Sequence, residues 1–159
     1  MSPHLRLKTA LTVSASLLIG GALAGPAAAG APPKPTLKDA VQHFGNMATG
    51  GCLDDSFAYG FRGFSCNGMA FQNWNVHIWG DGTRELKNLA TGRCIWGGGA
   101  ELSRPSTGNC DASKGQSWWT YSRGDQVSFQ NQATGLCMDD SEYGLRMLKC
   151  NYNRYQTWR

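Results

Sequence analysis

Histidine is scarce in this chain, with three copies in 159 residues, at positions 4, 43 and 77. A histidine-based nucleophilic triad therefore has little to draw on. No G-x-S-x-G, H-E-x-x-H or P-loop phrase occurs either. C-x-x-C and Cys/His clusters are missing, which makes structural zinc a poor fit. There is no run of basic residues, and basic and acidic side chains number 15 and 11. That balance and the missing run exclude a nucleic-acid-binding surface. No stretch sustains a 3.6-residue apolar period, so amphipathic helices are not expected.

Long apolar runs are confined to the start. "MSPHLRLK" carries Arg6 and Lys8 without an acid, and "TALTVSASLLIGGALAG" follows as an apolar stretch before Pro26. The small residues Ala27, Ala28 and Ala29 then form a cleavage site. Residues 1–29 read as a secretory signal peptide. The apolar stretch is short and rich in Gly and Ser, and no second span follows, so membrane insertion is not expected. Residues 30–39, opening "GAPPKPT", read as a stiff linker. Residues 40–159 form the domain, and about 120 residues suffice for a core of their own. All six cysteines lie there. An even count in an exported protein implies disulfides.

What the chain has in abundance is itself. "FGNMATGGCLDD", "LKNLATGRCIWG" and "FQNQATGLCMDD" share N-x-A-T-G-x-C, with asparagines at 46, 88 and 131. Each phrase is followed by a second cysteine and then by Q-x-W, at Gln72–Trp74, Gln116–Trp118 and Gln156–Trp158. Six cysteines allow 15 pairings. The repeat favours Cys52 with Cys66, Cys94 with Cys110 and Cys137 with Cys150. Each bond closes a loop of roughly 15 residues, worth about 3 kcal/mol in the chain-entropy model. "DGTRELKN" and "GDQVSFQN" alternate like half-buried strands, and Asp81-Gly82 and the T-G pairs supply turns. One such unit cannot bury its apolar face alone. Three must share a core, with the Q-x-W tryptophans as its centre.

Three units of about 42 residues with these anchors resemble the ricin B-type lectin family. The resemblance implies an all-β fold, the β-trefoil, with three pseudo-threefold lobes, twelve strands and one disulfide per lobe. Lobes are expected at about 40–76, 77–120 and 121–159. It further implies a carbohydrate site in a lobe that keeps an Asp two residues after its first cysteine. That Asp accepts hydroxyl hydrogens from the sugar, an aromatic ring stacks on the sugar, and the Gln of Q-x-W steadies the Asp. Carried onto this chain, the first lobe offers Asp54, Tyr59, Phe64 and Gln72. The third offers Asp139, Tyr143 and Gln156. The second has Trp96 in place of the Asp, so its site is expected to be lost.

Asp55 and Asp140 follow in the chain and are expected to point to the opposite face, capping the turn at Ser56 and Ser141. Arg62 and Arg146 recur with the "YGFR" and "YGLR" phrases and are expected in surface salt bridges, the alternative being that they reach the ligand. Adjacent aspartates diverge on a strand, which does not suit glycoside hydrolysis. Two such residues also supply too few oxygens for calcium. "RGD" at Arg123–Asp125 aligns with the "GDG" turn and reads as a turn. The expected function is that of a secreted, monomeric, non-catalytic lectin for galactose-type or related glycans or polysaccharides, with no cofactor and no metal. The alternative is a trefoil that binds a secreted protein, such as a protease inhibitor. Its loop would be "GGGAELSRPSTGN", residues 97–109.

Overall fold

A computed structural model describes residues 39–159. The expected signal peptide and all but the last residue of the expected linker lie outside the described residues. Every regular element is a strand or a single 3₁₀ turn; no α-helix forms among the described residues.

The first lobe contains β1 (Ala40–Gln42), β2 (Gly51–Ser56), β3 (Gly60–Ser65) and β4 (Trp74–Ile78). The second contains β5 (Arg84–Asn88), β6 (Cys94–Trp96), β7 (Ser106–Gly108) and β8 (Trp118–Arg123). The third contains β9 (Gln126–Asn131), β10 (Cys137–Ser141) and β11 (Gly144–Leu148). The fold is an all-β trefoil. Strands β1, β4, β5, β8 and β9 neighbour one another in that order. The hairpins β2–β3, β6–β7 and β10–β11 provide one short pair per lobe.

Among the described residues eleven strands form rather than twelve. The twelfth is reduced to Trp158, which bridges Val127 on one side and Asn46 on the other. Trp158 and Val127 exchange two backbone bonds of 2.8 Å, and Gly45 and Arg159 exchange two more, of 2.7 and 2.9 Å. The end of the chain thereby closes the ring between β9 and the segment after β1.

Each repeated residue performs one backbone task three times. The side-chain oxygens of Asn46, Asn88 and Asn131 accept the amide N–H groups two and three residues on, forming Asx turns. Their amide nitrogens donate to a neighbouring lobe, at Tyr155 O, Phe71 O and Gly115 O, each at 2.8 Å. The turns need a left-handed residue, which Gly50, Gly92 and Gly135 supply at φ near 70°. The Q-x-W glutamines are buried. They accept from the amides of Asn67, Asp111 and Asn151 and donate to the carbonyls of Ser65, Asn109 and Lys149. A glutamine can bridge a buried donor and a buried acceptor at once, which an apolar residue there cannot do.

The core forms around Trp74, Trp118 and Trp158, each with no exposed surface, packed with Leu53, Leu86, Ile95, Phe129, Met138 and Met147. Trp74 and Trp118 donate their indole N–H groups to Leu53 O and Ile95 O at 3.1 and 3.2 Å. Trp158 makes no such bond. Disulfides join Cys52 to Cys66, Cys94 to Cys110 and Cys137 to Cys150, one per lobe.

Candidate functional site

In β2, the alternation of a strand sends Asp54 and Asp55 to opposite sides. Asp54 lies directly across the hairpin from Arg62, and Asp139 across from Arg146. That register makes each pair an ion pair, with Arg62 Nε 3.2 Å from Asp54 Oδ1 and Arg146 Nε 3.3 Å from Asp139 Oδ1. Gln72 Nε2 donates to the other oxygen of Asp54 at 3.3 Å. No bond links Gln156 to Asp139 among the described residues; its amide goes to Lys149 O.

Both carboxylates are buried, Asp54 at 3% and Asp139 at 2% exposure. Solvent meets the arginines and rings instead. The Arg62 guanidinium lies 4.5 Å from the Tyr59 ring centre and 4.1 Å from that of Phe64. Arg146 lies 5.0 Å from the Tyr143 ring. Tyr59 and Tyr143 are 72% and 66% exposed, which leaves most of each ring open to a ligand. Each of the two lobes thus presents a carboxylate beneath, a guanidinium held by it, and an aromatic ring at the surface. Arg62 and Arg146 form the expected salt bridges, with the candidate-site aspartates themselves as partners. Their signal was the hairpin register, which sets them opposite the aspartates. Gln72 and Gln156 are buried, and their side chains bond the backbone of the hairpins.

The family model of the ricin-type β-trefoil lectin domain matches residues 40–158. The chain belongs to this family. Among solved structures it resembles the designed threefold-symmetric protein ThreeFoil, at 16% identity and a TM-score of 0.69, covering 75% of this chain and 96% of that one. The Macrolepiota procera ricin B-like lectin, solved in complex with lactose, is 16% identical with a TM-score of 0.65, covering 79% and 96%. An exo-β-1,3-galactanase from Clostridium thermocellum is 17% identical with a TM-score of 0.68, covering 80% of this chain but 30% of the enzyme. No curated protein sequence matches significantly.

In this ricin-type trefoil the second lobe departs from the other two. Trp96 packs over Gly98 and Gly115, where an added Cβ would fall 2.8 and 2.5 Å from its ring. The ring fills the room in that lobe and no carboxylate lies beneath it. The 97–109 loop is tied down beside it. Leu102 donates its amide to Met147 O at 2.8 Å, and Met147 donates to Ser103 O at 2.9 Å. Arg123–Asp125 is the hairpin turn between β8 and β9, with Gly124 left-handed.

The second aspartates do not cap the turns. Ser56 and Ser141 do so, through Oγ accepting the amides of Tyr59 and Tyr143. Asp55 is fully buried at the junction of the first and second lobes. It accepts Arg93 Nη2 at 2.6 Å and Nε at 3.0 Å, Thr107 Oγ1 at 2.8 Å, and the Thr91 hydroxyl. Asp140 occupies the corresponding place between the third and first lobes but has one donor, Thr49 Oγ1 at 2.6 Å. Burial pushes its carboxyl above the usual range; the Thr49 bond opposes this, and Asp139 nearby adds to it. A raised folded value means that folding prefers the protonated acid. Its stabilising contribution is complete below the unfolded value and is lost as pH rises through the folded one. Wild-type protein is therefore expected to gain unfolding free energy relative to Asp140→Asn between pH 7 and about pH 4. Urea titrations of both at the two pH values test this; a gap that does not change with pH refutes it.

Among the described residues, the one group of Cys and acidic side chains close enough for a metal is Glu85 with Cys94 and Cys110. Those two sulfurs are bonded to each other, so they do not ligate. A cavity of about 640 Å³ is lined by Val41, Phe44, Thr120 and Val127 among others and includes none of the expected site residues. No helix among the described residues is long and apolar enough to cross a membrane.

Proposed function

We propose that this chain is a secreted, non-catalytic lectin that binds galactose-type or related glycans at two shallow sites, on the first and third lobes. The observation that carries this is the repeated stack of buried carboxylate, oriented guanidinium and exposed ring, present in those two lobes and lacking in the second. A ring face covers the apolar face of a pyranose, and arginine N–H groups donate to its hydroxyls. The burial of Asp54 and Asp139 supports a role in holding Arg62 and Arg146 in place, by charge-assisted bonds stronger than neutral ones. The lactose complex of the Macrolepiota procera lectin supports a galactoside as the first sugar to test. The leader and the three disulfides support export. Buried adjacent carboxylates that face opposite ways leave no pair across a glycosidic bond, which supports a binding role over hydrolysis.

A single site of this kind is expected to bind on the order of mM. Two on one rigid body gain avidity on a polymer. A glycan array followed by retention on the immobilised hit is the test. Asp54→Asn with Asp139→Asn, and separately Tyr59→Ala with Tyr143→Ala, are each expected to cut affinity at least tenfold, about 1.4 kcal/mol. Folded double variants retained like wild type would remove the assignment. The second reading, a protein-binding trefoil, is favoured by Leu102, which is 66% exposed at a positive φ of 69° on the tied-down loop. Inhibition of secreted proteases by a glycan-negative protein would select it.

A further inference from the structure

The three lobe junctions are built from equivalent positions but furnished differently. Between the first and second lobes, Asp55 is met by Arg93 and Thr107. Between the third and first lobes, Asp140 faces Gly51 at the position of Arg93 and Gly63 at the position of Thr107. These equivalences follow from the N-x-A-T-G-x-C phrase, in which Gly51 and Arg93 precede the cysteine, and from the strand registers. Gly63 pairs with Leu53 as Thr107 pairs with Ile95. The hydroxyl that remains is Thr49, the counterpart of Thr91.

Losing both side chains opens a cleft of about 330 Å³, lined by Thr49, Gly51, Gly63, Phe64, Asp140 and Glu142 among others. The lining holds two carboxylates and no basic side chain. Asp140 is 4% exposed, and among the described residues its Oδ1 has no hydrogen-bond donor. Its oxygens lie 2.8 and 2.9 Å from where a Cβ on Gly63 would sit, so the carboxylate fills the ground that Thr107 takes at the other junction. Around a Cβ built on Gly51 the contacts are ordinary: Phe64 N and Thr49 Oγ1 at 3.5 Å, Asp140 Oδ2 at 3.6 Å. A Cβ at the position of the missing arginine is accommodated. A buried carboxylate with one neutral donor is poorly compensated and gains most from an incoming cation.

We propose that the junction of the third and first lobes is a binding site for an organic cation, a guanidinium or primary ammonium group carried by a ligand, seated as the Arg93 guanidinium is seated on Asp55. This site adjoins the first-lobe stack, with which it shares Phe64, but it centres on Asp140 and stands whether or not the stacks bind sugar. Two kinds of ligand carry such a group, an arginine side chain and an amino sugar.

Methylguanidinium, glucosamine and N-acetylglucosamine, each titrated to about 10 mM into the disulfide-intact protein, are the probes; a single weak contact saturates in this range. The readout is the amide NMR signals of Gly51 and Gly63. Saturable shifts with methylguanidinium, with glucosamine, or with both are expected, and none with the uncharged N-acetylglucosamine. The arm that responds names the source. Gly51→Arg supplies the guanidinium from within, and its Cβ is accommodated. It is expected to abolish the shifts and to raise the melting temperature. Asp140→Asn is expected to abolish them while keeping the Thr49 bond, and holds the test if the arginine variant does not fold. Shifts that persist in either variant, shifts equal with N-acetylglucosamine, or no saturable shift with either cation would overturn the site.

Discussion

Trp118→Ala is expected to cost about 3–5 kcal/mol of unfolding free energy, the range for emptying a buried aromatic site. Single domains hold about 5–15 kcal/mol in all, so this one change removes a large share. The reason is specific to the lobe centre. Trp118 is fully buried and bonded to Ile95 O. A Cβ on Gly97 would lie 2.3 Å from its ring, so the backbone of the second lobe is moulded to the indole. Partial collapse cannot refill the space, because the neighbouring residues belong to two lobes. Trp118→Phe keeps part of the volume and loses the indole bond, and is expected to cost less. Urea unfolding monitored by near-ultraviolet circular dichroism gives both values. A loss below about 1 kcal/mol for the alanine variant would mean that the tryptophan centre does not hold the lobes together.

Arg93→Ala is the second large effect, expected at about 3–5 kcal/mol, the cost of removing one partner of a buried pair. Asp55 has no exposed surface and would be left with the hydroxyls of Thr91 and Thr107. Arg93 also donates to Ser56 O at 2.9 Å, so two lobes lose a shared donor. The diagnostic is the double variant Arg93→Ala with Asp55→Asn, which removes the stranded charge as well. It is expected to recover most of the loss, a coupling that independent sites do not show. Additive losses would mean that the two side chains act separately.

The trefoil was legible because its anchors repeat, and they repeat because each does one indispensable backbone job. Asn46, Asn88 and Asn131 shape the same Asx turn. Gln72, Gln116 and Gln156 close the same hairpin. A residue fixed by local backbone geometry leaves the same mark in every lobe. The twelfth strand was less legible, since Trp158 completes the ring through two isolated bridges with no strand pattern of its own. The roles of the aspartates were hidden for another reason. Their partners lie elsewhere in the chain: Asp55 meets Thr91, Arg93 and Thr107 of the next lobe, and Asp140 meets Thr49 of the first. Only the docking of lobes reveals these contacts, and the three junctions carry different residues, so no repeat announces them. Arg62 and Arg146 stood in plain view within "YGFR" and "YGLR". What the phrase alone lacked was the hairpin register that sets each opposite a carboxylate.

The seam between Gly45 and Arg159 joins the two extremities of the described segment. A nascent polypeptide cannot make that closure while Arg159 is still inside the ribosomal tunnel. The ring is therefore the last part to assemble, and replacing Trp158, which bridges both neighbours, would leave it ajar.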